Sequence, residues 1–140
     1  MEDLSLNILD VVENSIRARA GNVAVRLTED RRADVLILEI DDDGEGMDEG
    51  AKARCMDPFY TTKKGKHVGL GLPFLAQSAE ETGGRLAIES ARGKGTRITV
   101  TYNLSHIDLR PFGDIEGTVR CLRAAHPEVN LRYDYVRIER

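Results

Sequence analysis

The chain has few of the residues that staple small extracellular domains or bind zinc. Its 140 residues include two cysteines, Cys55 and Cys121, which lie far apart and lack a CxxC or Cys/His spacing. This spacing supports neither a disulfide framework nor a zinc site. We therefore interpret both cysteines as ordinary reduced thiols.

Long apolar runs and an excess of positive charge are also missing. No run approaches the ~18 apolar residues of a membrane span, and the first ten residues, "MEDLSLNILD", are acidic. The sequence therefore predicts no membrane partner and a cytoplasmic location. With 24 acidic residues against 20 basic ones, the net charge is −4 and no long basic run occurs. Charge therefore gives no indication of a nucleic-acid partner.

The length and the hydrophobic pattern favour one compact domain with a mixed secondary structure. Alternating Val23, Val25 and Leu27 indicate a half-buried strand, and the apolar stretch 35–40 predicts a central strand. The elements run helix, strand, strand, helix, loop, helix, strand, strand, helix, strand, with the long loop at 57–72. Short turns between neighbouring strands favour an α+β fold, a two-layer α/β sandwich. Its sheet would be mixed, mostly antiparallel and covered by helices on one face.

The first candidate site is a polar stripe on the opening helix, in the stretch "ILDVVENSIRARAG". Asp10, Glu13, Asn14 and Arg17 stand at i, i+3, i+4 and i+7, so they share one side of a helix. An amide oxygen such as that of Asn14 suits Mg²⁺. Asp10 could polarise a water, and Arg17 could reach a phosphate. The simpler interpretation is a solvated face of an amphipathic helix.

The second candidate is "DDDGEGM", which follows the buried strand. Gly44 and Gly46 allow backbone and ligand to approach closely, and the Asp43 carboxylate could accept a hydrogen bond from an amine such as that of adenine. A surface turn is the alternative. An EF-hand calcium loop is disfavoured because Lys52 stands where a bidentate Glu is needed and a strand precedes the motif.

The third candidate is "KKGKHVGLGL", a stretch of glycines and lysines directly before a helix. Free N–H groups at a helix start and the charge of a residue such as Lys63 suit a phosphate chain. The stretch matches neither the P-loop nor the dinucleotide pattern, and a flexible basic linker is the alternative. Together the three segments supply the parts that one nucleotide–magnesium pocket requires.

The order and wording of these segments resemble the GHKL ATPase superfamily, which includes gyrase, histidine-kinase and mismatch-repair ATPase domains. The matching segments, in chain order, are "LDVVENSIRA" (N box), "DDDGEGM" (G1 box), "DPFYTTK" (F box), "GLGL" (G2 box) and "GKGTRITV". The resemblance covers about residues 1–102. It implies a histidine kinase-like ATP-binding domain at 1–104 and a helix–strand extension at 105–140 that packs on the same domain.

The resemblance also implies ATP and Mg²⁺ as cofactors. Asn14 stands at the magnesium-binding asparagine, Asp43 at the adenine-reading aspartate, and Thr96 near the adenine. Asp10 and Glu13 are the candidate catalytic bases. The other implied nucleotide-binding residues are Arg17, Gly44, Gly46, Met47, Phe59, Thr62, Lys63, Gly69, Leu70, Gly71 and Leu72.

Two branches of the superfamily are represented. The F and G2 boxes are similar to those of histidine kinases, whereas "VENSIRARAGNVAV" is similar to mismatch-repair proteins, in which a glutamate at the position of Asp10 activates water. The N box begins near the start of the sequence, so we expect no preceding helix that carries a phosphoacceptor histidine. The resemblance implies a stand-alone kinase that transfers the ATP γ-phosphoryl to a separate protein. The alternative is an ATP-dependent regulatory module or slow ATPase, and a homodimer is possible in either case.

Overall fold

The computed structural model describes residues 4–56, 71–106 and 114–139. Within these residues the helices and strands follow the predicted order, although the first helix begins at Leu4, earlier than its motif. The elements are α1 (Leu4–Arg17), β1 (Asn22–Asp30), β2 (Val35–Asp42), α2 (Glu49–Cys55), α3 (Gly71–Glu81), β3 (Arg85–Ser90), β4 (Thr96–Asn103), a 3₁₀ turn (Leu104–His106), α4 (Ile115–Ala125) and β5 (Asn130–Ile138).

The five strands form one sheet in the order β3-β4-β2-β1-β5. Neighbouring strands are antiparallel except for β1 and β5, which run parallel. A parallel neighbour requires a crossover, and α4 supplies it immediately before β5. The sheet is therefore mixed and mostly antiparallel, which confirms the predicted fold class.

One face of the sheet is buried beneath the helices, and we call it the covered face. On β2 this face carries Leu36, Leu38 and Ile40, each at most 1% exposed. Burying each of these side chains contributes about 1.5–3 kcal/mol. The facing core side chains of the helices include Ile8, Val11 and Val12 of α1, Leu75 and Ala79 of α3, and Val119 and Leu122 of α4.

The other face, which we call the open face, carries no fully buried side chain among the described residues. On β2 it presents Ile37, Glu39 and Asp41, which alternate with the buried residues. The residues of β4 that pair with these positions lie on the same face. Asp41, for example, pairs with Arg97, and the Arg97 Nε lies 2.7 Å from the Asp41 Oδ1. Side chains at the end of β2 are therefore directed toward or away from the helices according to their place in this alternation.

The segment after residue 104 shares the core of the preceding elements. Ile115 of α4 and Leu131 of β5 are each 5% exposed, and β5 pairs with β1 along its nine residues. None of the helices in the described parts of the chain has a stretch long and apolar enough to cross a bilayer.

Candidate functional site

The start of α3 lies directly against α1 at the turn that contains Asp10. A Cβ built on Gly71 would lie 2.5 Å from the Asn7 carbonyl oxygen and 3.0 Å from the Asp10 Cβ. Only glycine permits this approach, so the sequence requirement at Gly71 is steric. The structure thus places Asp10 beside a helix N-terminus, and the dipole at such a terminus favours an anion.

Asn14 and Arg17 lie on the same side of α1 and contact each other. The Arg17 Nη1 donates a hydrogen bond to the Asn14 Oδ1 at 2.6 Å. Asn14 is half-buried and Arg17 is exposed. The amide oxygen that the sequence analysis assigned to Mg²⁺ is therefore oriented toward a cationic group at the surface.

Glu13 turns toward the C-terminal extension instead. Its Oε1 lies 2.8 Å from the Nε2 of His126, and the two side chains are 29% and 25% exposed. His126 ends α4, where its backbone N–H donates to the Leu122 carbonyl. The contact connects α1 to α4, and it separates Glu13 from the stripe to which its spacing assigned it.

The glycine-containing turn after β2 packs against the end of α1. A Cβ on Gly44 would lie 2.7 Å from the Ala18 carbonyl oxygen, and that oxygen accepts a hydrogen bond from the Glu45 N–H at 2.8 Å. Gly46 has φ +73°, and a Cβ there would lie 2.0 Å from the Ala91 carbonyl oxygen. The turn is therefore enclosed between α1 and the β3–β4 hairpin, and only glycine fits at Gly46.

Asp42 continues the covered-face alternation of Leu36, Leu38 and Ile40. Its Oδ2 accepts a hydrogen bond from the buried Ser15 hydroxyl of α1 at 2.6 Å, and its Oδ1 accepts one from the Gly44 N–H at 2.9 Å. Asp42 is half-buried. Its carboxylate thus lies between α1 and the glycine turn and retains acceptor capacity for a further donor.

Asp43 has the opposite orientation. Its Oδ1 accepts hydrogen bonds from the backbone N–H groups of Gly21 at 2.8 Å and Asn22 at 2.9 Å. Its Oδ2 accepts one from the Asn22 side-chain amide at 2.7 Å. These donors, the Asn22 side chain foremost, lower the pKa of Asp43. The Asp43 carboxylate therefore fastens the end of β2 to the start of β1, a role that differs from the predicted contact with adenine.

Thr96 lies next to Asp42 on β4 and belongs to a small polar cluster. Asp42 and Thr96 are register partners, and the Thr96 Oγ1 lies 2.8 Å from the Ser90 Oγ. The same Ser90 oxygen accepts a hydrogen bond from the Met47 N–H at 2.8 Å. The structure therefore brings Asp42, Met47 and Thr96 together at one end of the sheet.

An open cleft of about 760 Å³ runs along this end of the sheet. Its lining includes Asp42, Asp43 and Thr96 together with open-face residues such as Arg97 and Arg132. Asp10 and Asn14 are not part of its described lining. We therefore define the candidate site by the contacts among α1, the glycine turn and β4, and treat the cleft as adjoining that site.

Some of the predicted site residues lie outside the described ranges. These are Phe59, Thr62, Lys63, Gly69 and Leu70, together with most of the predicted loop at 57–72. Leu72 lies inside them and is 6% exposed, so its side chain belongs to the core.

The donor set around Asn14 fits a magnesium ion that is carried by a nucleotide. Within the described residues, no group of three or more His, Cys, Asp or Glu side chains could hold a metal ion. A single amide oxygen is nevertheless sufficient when phosphates and water complete the coordination of Mg²⁺. The residues present therefore fit Mg²⁺ bound together with a phosphate chain.

The sequence analysis did not single out Asp42, although a signal for its orientation existed. The stretch "VLILEI" is apolar at both alternating sets of positions, so the sequence did not show which set faces the helices. Once Leu36, Leu38 and Ile40 are known to be buried, the alternation assigns Asp42 to the covered face and Asp43 to the other.

Comparison with known proteins identifies the family of the chain. Residues 2–106 match the family model described as "Histidine kinase-, DNA gyrase B-, and HSP90-like ATPase". Sporulation kinase C of Bacillus subtilis is 32% identical over 96 residues, 69% of this chain and 22% of that protein. Sensor protein kinase FleS of Pseudomonas aeruginosa is 38% identical over 98 residues, 69% of this chain and 24% of that protein. The chain thus spans about a quarter or less of the length of these relatives.

Among solved structures, the Aquifex aeolicus MutL ATPase domain complexed with ADP matches with a TM-score of 0.58 and 16% identity. The match covers 96% of this chain and 60% of that chain, and at this identity it shows the fold alone. The family match extends from α1 through β4 and contains every described residue of the predicted nucleotide site. The chain therefore belongs to the histidine kinase-, DNA gyrase B- and HSP90-like ATPase family.

Proposed function

We propose that the chain binds ATP with Mg²⁺ between α1 and the strand ends of β2 and β4, and that it transfers the γ-phosphoryl group to a separate protein. The observation that carries this proposal is the placement of Asp42. This carboxylate lies on the covered face, accepts hydrogen bonds from Ser15 and Gly44, and adjoins a glycine turn that packs on α1.

In this proposal Asp42, rather than Asp43, contacts the adenine. An ionised carboxylate accepts hydrogen bonds and donates none. It therefore favours the exocyclic amine of adenine and repels the carbonyl oxygen that guanine carries at the same position. Thr96 and the Met47 backbone would border the same base, because Thr96 pairs with Asp42 and Ser90 links Thr96 to the Met47 N–H. We expect ATP to bind more tightly than GTP for this reason.

The phosphate chain would lie along the polar stripe of α1 and reach the start of α3. Asn14 would hold Mg²⁺, which supplies neutralisation of the phosphate charge when it is bound. The Asn14 oxygen now accepts a hydrogen bond from Arg17, so engagement of that oxygen would release the Arg17 guanidinium to pair with a phosphate. The N–H groups at the start of α3, beside Asp10, would donate hydrogen bonds to another phosphate oxygen.

Transfer to a protein acceptor is supported by the names of the relatives, which are kinases. Among the described stripe residues, Asp10 remains the candidate base because Glu13 contacts His126. The same observation favours a second candidate function. With Glu13 directed at His126, and with the shorter carboxylate of Asp10 where a glutamate would reach further, hydrolysis would be slow. The domain would then act as an ATP-dependent regulatory module.

The first experiment measures nucleotide binding by isothermal titration calorimetry with ATP and GTP, each with and without Mg²⁺. We expect ATP to bind at least tenfold more tightly than GTP, and Mg²⁺ to strengthen ATP binding in the wild type but not in Asn14→Ala. Absence of heat with ATP, or equal affinity for GTP, would refute the proposed site.

The second experiment separates the two candidate functions. The chain is incubated with γ-labelled ATP and a lysate of its source organism, with Asn14→Ala as the matched control. Label on another polypeptide that depends on Asn14 supports transfer. Tight ATP binding without such label supports the regulatory module.

A further inference from the structure

Strand β5 forms one edge of the sheet and carries exposed apolar side chains. It is nine residues long, and within the described residues it pairs only with β1. Tyr135 is 51% exposed and Val136 is 38% exposed. Proteins commonly shorten, cover or blunt such edges, because an open edge templates pairing with another strand.

The direction of the free backbone groups on β5 follows from its bonds to neighbouring segments. The Asn130 N–H donates to the Gly21 carbonyl at 2.9 Å, and the Ile138 carbonyl accepts from the Arg31 N–H at 2.8 Å. The even-numbered residues of β5 therefore direct their backbone groups inward. Because alternate residues of a strand point to opposite sides, the odd-numbered residues, including Tyr133 and Tyr135, direct theirs to the open edge.

We propose that β5 pairs antiparallel with β5 of a second copy of this chain, in the register that places Tyr133 opposite Tyr133. In this register Arg132 of each copy lies opposite Asp134 of the other, on the open face. Leu131 of each copy lies opposite Tyr135 of the other on the covered face. Opposite charges directly across an antiparallel pair are stabilising, and contacts between aromatic and aliphatic side chains add to them.

The charges of β5 distinguish this register from its symmetric neighbours. A two-fold axis through Asp134 would place that carboxylate opposite its own copy, and an axis through Arg132 would do the same with two guanidinium groups. Both arrangements are destabilising. An axis through Tyr135 would leave Asp134 opposite Val136. The register centred on Tyr133 is therefore the one of these four that pairs both Arg132 and Asp134 with opposite charges.

The C-terminal half of β5 is held in place before any partner arrives. The Tyr135 hydroxyl donates to the Glu29 carboxylate of β1, which is 1% exposed. Glu29 also forms an ion pair with Arg31, with 2.6 Å between Nη2 and Oε2. A rigid edge loses little conformational freedom on pairing, which favours association. The proposed pairing of β5 does not require bound nucleotide.

The test uses charge reversal on the chain without nucleotide, measured by sedimentation equilibrium from about 10 µM to about 1 mM, a range suited to a small interface. We expect the wild type to form a dimer in this range. Arg132→Asp and Asp134→Arg should each raise its Kd by about tenfold or more, because each creates two like-charge pairs. The double reversal should restore the wild-type Kd.

Mixing the two single variants gives the sharpest result. One variant then carries two acids and the other two bases at these positions, so the proposed register predicts a heterodimer, although neither variant pairs with itself. Glu89→Arg on β3, at the other sheet edge, is the control and should leave the Kd unchanged. Thermal melts verify folding, since Asp134 lies beside Arg26 in register. A monomeric wild type, or failure of the mixture to form heterodimers, would overturn the inference.

Discussion

The two faces of β2 are built from alternating residues of one strand, and yet they have opposite roles. Leu36, Leu38 and Ile40 are at most 1% exposed beneath the helices. Glu39 and Asp41 face the other way and are half-buried. At the end of the strand the same alternation separates Asp42, which contacts α1, from Asp43, which fastens β2 to the start of β1. The packing that orders the core thus also determines which carboxylate is directed toward α1.

The largest expected difference between the two faces concerns stability. Leu38→Ala removes a fully buried side chain, so we expect a loss of about 2–5 kcal/mol in the free energy of unfolding. Glu39→Ala, one position along on the open face, should change it by no more than about 0.5 kcal/mol. Urea denaturation followed by circular dichroism measures both. Similar losses in the two variants would show that β2 is buried on both faces.

The second difference concerns nucleotide affinity at the end of the same strand. Asp42→Asn replaces a charged acceptor by a neutral one, and we expect it to weaken ATP binding by about 10- to 100-fold. Asp43→Asn retains a side-chain oxygen for the backbone N–H groups of Gly21 and Asn22, and loses the acceptor of the Asn22 side-chain amide. We expect it to leave the affinity within about threefold. Calorimetric titration of both variants is decisive. A larger effect at Asp43 than at Asp42 would restore the original assignment of the adenine contact.

Much of the fold could be predicted because its signals are local. The alternation of Val23, Val25 and Leu27 depends only on neighbouring residues. The same holds for the glycine pair Gly83 and Gly84, which follows the end of α3. The parallel placement of β5 beside β1 could not be predicted. It depends on how α4 packs across the sheet, and the apolar positions of α4 show that it is buried without showing against which element.

The features of the candidate site also fall into two groups, those with a local sequence signal and those set by tertiary packing. Asn14 and the glycine turn could be proposed from the sequence because their residue types and spacing are local features. Which of Asp42 and Asp43 contacts α1 depends on which face of β2 receives the helices, and that is a property of the tertiary structure. The contact between Glu13 and His126 joins residues 113 positions apart, so helical spacing alone assigned Glu13 to the stripe.

Glu29 lies at the opposite end of the covered face, two residues after Leu27 on β1. The hydrogen bond from Tyr135 and the charge of Arg31 lower the pKa of Glu29 below its ordinary value of 4.5, although burial acts in the other direction. A lowered pKa in the folded state means that the ionised form stabilises the fold above the unfolded pKa. This contribution is lost as the pH falls through the folded pKa.

Glu29→Gln should therefore lower the free energy of unfolding by about 1–2 kcal/mol at pH 7. The difference from the wild type should shrink as the pH is lowered from about 5 towards 3. Glu39→Gln on the open face is the matched control for the same substitution at an exposed-side position of the sheet. Urea denaturation at several pH values gives both curves. If the difference in the free energy of unfolding between Glu29→Gln and the wild type stays constant with pH, the charge of Glu29 does not stabilise the fold.

The smallest expected effect concerns the contact of Glu13 with His126, at the edge of the covered face. Each side chain is about a quarter exposed, so a double-mutant cycle with Glu13→Gln and His126→Ala should give a coupling energy of about 0.3–1 kcal/mol. The same variants separate a structural role from a catalytic one. Because the Glu13 carboxylate is directed at α4, Glu13→Gln should leave the rate of phosphoryl transfer or ATP turnover nearly unchanged.

Asp10→Asn should lower that rate by about 100-fold or more, as expected for loss of a catalytic base. Equal losses of rate in the two variants would place Glu13 back on the catalytic stripe.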